Sequence, residues 1–283
     1  MSRDGSVETW PKPIGAPGEL ADDFASAIGK TFDEFPYCVR TPPDHAFHGN
    51  YPEQFLCLAD SRMAIYRRKK GVVDARVCGL DSIDSLESET TLLASRLKVY
   101  PDDGKPFAVP YNAVGERHFK PFITAYKSAR GSRVKESEML RSISPDPFRQ
   151  LAKQDFRYHN YVFDALPDDA PRAHFYHPAT KVPNLLQRSR IISAYLLVAS
   201  PSMLYCLSEE PPLRSSRKAE YSIMFRYMPF SAGVGLDVTE RGGEDRFKTL
   251  SIRAGKTIFA VPLSIEELAT FDAFRRASAC EGG

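Results

Sequence analysis

The chain contains one stretch twice, FAVPYNAVGERHFKPFITA at residues 107–125 and FAVPLSIEELATFDAFRRA at residues 259–277. The first four letters agree, and three later pairs are identical at the same offset of 152: Phe119/Phe271, Phe122/Phe274 and Ala125/Ala277. In each stretch a short apolar run ending in proline precedes aromatic residues three apart, which is a spacing found on one helix face. The stretch therefore predicts a strand followed by an amphipathic helix, in two copies.

Both predicted helices begin at a polar residue two positions after the shared proline. Asn112 and Ser264 occupy these positions, and Ser264 with Glu267 has the spacing of a capping box. The apolar stripes contain Phe119, Phe122 and Tyr126 in one copy and Leu268, Phe271 and Phe274 in the other. Such a stripe requires a concave apolar surface to bury it.

A second window upstream repeats at a different offset. Residues 35–66 align without gaps with residues 175–206 at an offset of 140, with five identities: Phe35/Phe175, Pro43/Pro183, Leu56/Leu196, Ala59/Ala199 and Met63/Met203. Because the offsets 140 and 152 differ by 12, the second copy should carry extra residues. We expect them in hairpin loops around residues 214–218 and the Gly242-Gly243 turn, since such loops tolerate insertions.

Within the first copy the pattern predicts strands first and a helix last. Gln54–Ser61 and Arg62–Lys69 are predicted to form a hairpin, and three further strands are expected over Val72–Leu80, Leu92–Tyr100 and Lys105–Val109. Strands followed by one amphipathic helix favour an α+β fold. Each copy would be a strongly bent sheet or partly open barrel capped by its C-terminal helix.

This layout resembles the bacterial pleckstrin-homology-like (PH-like) domains, in tandem copies. The resemblance is carried by the hairpin FLCLADSRMAIY at residues 55–66 and by VPYNAV at residues 109–114, before the helix. It implies a binding scaffold without chemistry, with domains over residues 35–130 and 172–279. Residues 1–34 are then a tail with one helix over Glu19–Phe32. Residues 131–171 are a packed, partly helical linker.

The linker contains one helix start and one undecided segment. Asp146 can cap a helix whose first turn holds Pro147. The following segment, Phe156–Phe163, fits either a helix or a strand on its sequence alone.

Composition limits the classes of function. The formal net charge of +2 over 283 residues gives no global field to attract nucleic acid, so no nucleic-acid partner is expected. No apolar run has the length of a membrane-spanning helix, and the N-terminus lacks the pattern of a secretory signal. The odd and widely spaced cysteines indicate reduced, structural thiols: Cys38, Cys57, Cys78, Cys206 and Cys280. We therefore expect a cytoplasmic protein.

One short basic segment is a candidate ligand site. It consists of Arg62 together with Arg67, Arg68, Lys69 and Lys70, next to a predicted turn at the hairpin end. In eukaryotic relatives of the PH-like fold, basic residues in the first hairpin loop hold phosphoinositide headgroups, so the resemblance implies weak binding to an anionic membrane surface. The alternative is that these charges keep a sheet edge soluble and unpaired.

A second candidate is a partner interface at Tyr221, Met224, Arg226 and Tyr227, because these residue types are enriched where proteins bind each other. The histidines offer an enzymatic alternative through two His-x-x-His pairs, His45/His48 and His174/His177. The two pairs do not align with each other in the repeat, and no nucleophile or phosphate-binding motif accompanies them.

The sequence thus favours a non-enzymatic scaffold that binds a protein or peptide through a sheet edge or the groove beside the helix. We expect no catalytic residues, no metal and no cofactor. Peripheral membrane binding through Arg67–Lys70 is the second hypothesis, and a metal-dependent enzyme is the third. Formation of a homo-oligomer stays open.

Overall fold

A computed structural model shows an α+β chain built mostly of antiparallel sheets with few helices. The structure describes residues 11–14, 25–27, 37–43, 52–59, 61–69, 71–91, 94–130, 148–166, 171–183, 189–209, 222–240 and 246–278. The chain divides into two compact units. Unit 1 comprises residues 1–83, 88–101 and 105–129, and unit 2 comprises residues 84–87, 102–104 and 130–283.

Unit 1 is two groups of antiparallel strands followed by a helix. The strands of its first sheet are β1 (Lys12–Ile14), β2 (Tyr37–Thr41), β3 (Gln54–Leu58), β4 (Arg62–Lys69) and β5 (Val72–Gly79), which pair in that order. The next strands are β6 (Ile83–Thr90), β7 (Ala94–Pro101) and β8 (Phe107–Asn112), followed by a 3₁₀ turn over Ala113–His118 and helix α1 (Lys120–Arg130). The middle of β6, residues 84–87, belongs to unit 2.

Unit 2 begins with two helices and then repeats the order of strands and a final helix. Its helices α2 (Arg149–Gln154) and α3 (Phe156–Ala165) precede β9 (Ala173–His177), the hairpin β10 (Thr180–Pro183) and β11 (Ser189–Ile192), and the strands β12 (Tyr195–Ala199), β13 (Met203–Glu209) and β14 (Ile223–Pro229). A three-stranded sheet follows, formed by β15 (Gly235–Glu240), β16 (Phe247–Ala254) and β17 (Thr257–Ser264), and the last helix is α4 (Leu268–Ser278).

The aromatic residues of the two stripes are buried in both units and form ring pairs of similar geometry, although Phe119 stacks on Tyr111 whereas Phe271 meets Phe175 edge to face. Phe119, Phe122 and Phe271 are fully buried and Phe274 is 3% exposed. The ring centroids of Phe119 and Phe122 are 6.2 Å apart at 35°, and those of Phe271 and Phe274 are 6.2 Å apart at 38°. The second ring of each pair also contacts an aromatic ring on a strand, Tyr37 on β2 for Phe122 and Phe175 on β9 for Phe274.

The two helix starts are stabilised in different ways. The side chain of Asn112 accepts a hydrogen bond from the backbone amide of Val114 at 3.0 Å, as a cap does. Ser264 also precedes its helical turn but makes no side-chain cap bond, so the predicted capping box is wrong. Instead, an oxygen atom of the Glu267 carboxylate lies 2.6 Å from Nδ1 of His177.

The register corrects the ungapped alignment of the upstream windows. The β3–β4 turn closes with a hydrogen bond from the Ala59 amide to Arg62, and the β12–β13 turn closes with one from the Ser200 amide to Met203. Ala59 therefore corresponds to Ser200, one residue away from the predicted partner Ala199. A slip of one residue moves every side chain of a strand to the other face, so Leu56 corresponds to Leu197 and not to Leu196.

The connections before these strands also differ in length. Residues 42–53 link β2 to β3, whereas residues 178–194 link β9 to β12 and include the hairpin β10–β11. The extra residues predicted around residues 214–218 lie outside the described residues, but they fall between β13 and β14, which are separated by residues 210–222. The corresponding strands β4 and β5 are separated by residues 70 and 71 alone.

Of the remaining secondary-structure elements, some were predicted, some were missed and some lie outside the described residues. The strands expected in the first copy are present with ends shifted by a few residues, and Phe156–Phe163 is helical. In unit 1, sequence analysis missed β1, β2 and β6, and residues 12–14 of the predicted tail pair with β2 in the first sheet. Of the predicted helix Glu19–Phe32 the structure describes only the helical residues 25–27, and Asp146 and Pro147 lie outside the described residues.

Candidate functional site

The basic hairpin end does not form one cluster, because β4 is extended there and its side chains alternate between two faces. Arg67 donates from Nε to Oε1 of Gln54 at 3.2 Å and from Nη2 to the carbonyl oxygen of Ala108 at 3.0 Å. Gln54 is fully buried. The Arg67 guanidinium is therefore committed to bonds inside unit 1.

Arg68 projects to the opposite face and forms part of an ion cluster. Its Nη1 lies 3.2 Å from Oε2 of Glu53, and Nε of Arg40 donates to Oε1 of the same carboxylate at 2.6 Å. One carboxylate therefore pairs with two guanidiniums. Sequence analysis missed Glu53 and Gln54, although both stand directly before the apolar run of β3, where a buried polar residue requires a partner.

Arg62, the first basic residue of the predicted site, does not join this cluster. Arg62 begins β4 and is exposed, six residues from Arg68, which is roughly 20 Å along a strand. Lys69 ends β4, and Lys70 lies outside the described residues. Arg62 therefore lies too far along the strand to share a phosphate group with Arg68.

Strand β5 lies at the edge of the same sheet and is the most open element near the basic hairpin. It is eight residues long and pairs with β4 on one side, and no strand among the described residues pairs with its other side. Val72 is 69% exposed and Val77 is 49% exposed. A long edge strand with exposed apolar side chains is a template on which another strand can pair.

The register identifies which β5 backbone groups point away from the sheet. The Leu80 amide donates to the carbonyl oxygen of Ser61 at 2.8 Å, and the pairing of β4 with β5 continues from this point. Hydrogen-bonded and non-hydrogen-bonded pairs alternate along an antiparallel ladder. The residues whose amides and carbonyls point outward are therefore Val73, Ala75, Val77 and Gly79.

The residues predicted to form a partner interface are largely internal. Met224 and Tyr227 on β14 are buried, and Tyr221 lies outside the described residues. Arg226 donates from Nε to Oε2 of Glu87 at 2.6 Å, within unit 2. Its side chain is 12% exposed, so these β14 residues offer little surface to a partner.

The histidine pair His174/His177 lies on a strand, not on a helix. Both residues belong to β9, where positions three apart face opposite sides of the sheet, so the two imidazoles cannot share one metal ion. His177 is buried and stacks on Tyr195, and His174 contacts Phe148. His45 and His48 lie outside the described residues.

The described part of the chain contains no group of three or more histidine, cysteine, aspartate or glutamate side chains placed to hold a metal ion, and none of its helices is both long enough and apolar enough to cross a membrane. No protein-family model matches the chain, and no curated protein sequence matches it significantly.

Proposed function

We propose that the protein is a non-enzymatic interaction protein, made of two PH-like domains in tandem, that binds an extended peptide segment of a partner protein. The order of elements supports this architecture. After the short strand β1, four strands, three strands and a helix follow one another as β2–β5, β6–β8 and α1. With the β10–β11 hairpin set aside, unit 2 has the same order in β9, β12–β14, β15–β17 and α4.

The edge strand β5 is the observation that carries the binding proposal. Four of its residues direct backbone amides and carbonyls away from the sheet, and an added peptide strand would satisfy them. Val77 offers a half-exposed apolar side chain, and on the same face of the sheet Arg68 lies opposite Val73 and Arg62 lies opposite Gly79. The best peptide is therefore extended, apolar at its centre and acidic near both ends.

Amide exchange tests the mode of binding directly. Peptides with this pattern would be selected from a displayed library on the full chain, and exchange would be measured by NMR with and without the tightest peptide. Protection should appear at the amides of Val73, Ala75, Val77 and Gly79, and change little at Asp74, whose amide already faces β4. Uniform protection, or protection confined to another element, would contradict strand addition.

Substitution of Ala75 by proline tests whether the outward backbone amides of β5 bind the peptide. Ala75→Pro removes one outward amide, and proline is tolerated on an edge strand where its nitrogen faces away from the ladder. Losing one hydrogen bond, about 1 kcal/mol, together with the displacement that the ring causes should weaken binding roughly tenfold. Ala75→Val is the control, since it keeps the amide and suits a strand. Equal binding by both variants would rule out the proposed edge.

Membrane binding is the second candidate function, and the basic residues at the end of β4, Arg68 and Lys69, favour it. Vesicles containing phosphatidylserine should sediment the wild type at low salt but not the variant with Arg68, Lys69 and Lys70 changed to glutamine, if this function is correct. If the protein binds the peptide but does not bind the vesicles, the result supports peptide binding by strand addition and contradicts membrane binding. Self-association through β5 would appear as a concentration-dependent mass that Ala75→Pro abolishes.

A further inference from the structure

Two cysteines of unit 1 face each other across neighbouring strands. Cys38 on β2 is the register partner of Cys57 on β3, and their Sγ atoms are 2.9 Å apart. Both thiols are 1% exposed and pack against Phe55, Ala64 and Tyr66. The cysteines are not joined in this structure.

The strand register places this pair at a position suited to a disulfide. On the β4 side, the Ala59 amide donates to Arg62 and the Arg68 amide donates to Glu53, which fixes the alternation along β3. Cys57 therefore directs its backbone groups toward β4, and its pair with Cys38 is a non-hydrogen-bonded one. In such pairs the Cα atoms are about 4.5 Å apart, which lies within the range that disulfides span.

The surroundings determine how such a bond could form. The hydrogen bond with Cys38 and burial both raise the pKa of the Cys57 thiol. Because the thiolate is the reactive form, the folded protein should react slowly and only with a small oxidant. Large reagents are excluded by the burial of both sulfur atoms.

We infer that Cys38 and Cys57 form a reversible cross-strand disulfide, which makes unit 1 a thiol-oxidation site. With hydrogen peroxide, one thiolate attacks an oxygen atom and becomes a sulfenic acid, with release of one water molecule after protonation. The second sulfur then attacks the sulfenic sulfur, and a second water molecule leaves. The two thiols lose two electrons and two protons, and peroxide is reduced to water.

Mass spectrometry of the full chain tests this inference. After peroxide treatment and alkylation of the remaining thiols in denaturant, trypsin should release residues 31–40 joined to residues 41–62, lighter than the two separate peptides by the mass of two hydrogen atoms. Dithiothreitol should restore both peptides. The Cys38→Ser variant should lose the linked peptide while circular dichroism shows an unchanged fold.

A second experiment distinguishes slow access of the oxidant to the buried thiols from an inability of the two cysteines to pair. The denatured, reduced chain would be refolded in a mixture of reduced and oxidised glutathione, which allows the thiols to exchange before they are buried. Formation of the same linked peptide supports the inference. A link that uses Cys78 or Cys206 instead, or no link in either arm, would overturn it. The outcome is independent of the proposed function of β5.

Discussion

Removing one partner of the buried ion pair in unit 2 should strongly destabilise that unit. Nε of Arg226 lies 2.6 Å from Oε2 of Glu87, whose side chain is 1% exposed. Arg226 also donates to Oγ of Ser208 at 3.2 Å and lies 4.6 Å from the ring centre of Phe259. A buried guanidinium left without its carboxylate keeps its cost of desolvation while losing the attraction that offset it.

The expected magnitude follows from this burial. Glu87→Met should lower the free energy of unfolding by about 3–5 kcal/mol, because it leaves the Arg226 charge unpaired. For a unit of this size, 3 kcal/mol corresponds to a drop in Tm of roughly 6–12 °C. The double variant Glu87→Met with Arg226→Met should recover most of the loss, since replacing both members of a buried pair by apolar residues is often neutral.

Urea denaturation followed by far-UV circular dichroism measures all members of this double-mutant cycle. The coupling energy between Glu87 and Arg226 should be at least about 3 kcal/mol, because each single variant leaves one buried charge unpaired while the double variant is expected to lose less than either. Additive losses, or a Glu87→Met variant within about 0.5 kcal/mol of the wild type, would refute the reasoning, because surface substitutions give changes of that size.

Further stability effects follow from other buried groups. Phe271→Ala should cost unit 2 about 3–5 kcal/mol, and Phe119→Ala should cost unit 1 a similar amount, measured by thermal unfolding. Tyr158→Phe should cost about 1 kcal/mol, because the hydroxyl donates to a buried backbone carbonyl at 2.6 Å. Burial raises the pKa of Glu209 above 4.5, against the opposing charge of Arg157. This group stabilises the fold below that pH, and the stabilisation is lost as the pH rises through the pKa that Glu209 has in the folded protein. Glu209→Gln should therefore reduce the pH dependence of the free energy of unfolding, measured from pH 4.5 upward.

Strand β6 could not be predicted from its own sequence. Its sequence IDSLESET is mostly polar, yet seven of its eight residues are buried. The carboxylate of Glu89 pairs with Arg96 and lies 3.6 Å from Nζ of Lys98, and that of Asp84 accepts from the Lys256 amide at 2.9 Å. These partners are distant in sequence or lie on the next strand. No local period marks them, so the pattern indicated a loop.

The strands that sequence analysis did find share a different property. Strands β3 and β4 carry apolar runs or a central apolar segment, bounded by turn residues, so their burial can be read from composition alone. The helix stripes were equally readable, because Phe119, Phe122 and Tyr126 recur at three and four residues and are all fully buried. Register was not readable, because it depends on the lengths of the connecting segments.

The candidate sites were harder to predict because residues adjacent in sequence do not stay adjacent on a strand. Arg67 and Arg68 suggested one basic cluster, but the pleat sends Arg67 to Gln54 and Arg68 to Glu53 on the other face. The same alternation separates His174 from His177. It also creates the exposed edge, because outward backbone groups recur at every second residue of β5 regardless of side chain. A surface that binds through backbone groups is not marked by particular residue types. Its partner is therefore better identified from the spacing of the outward amides along β5 than from a charged sequence motif.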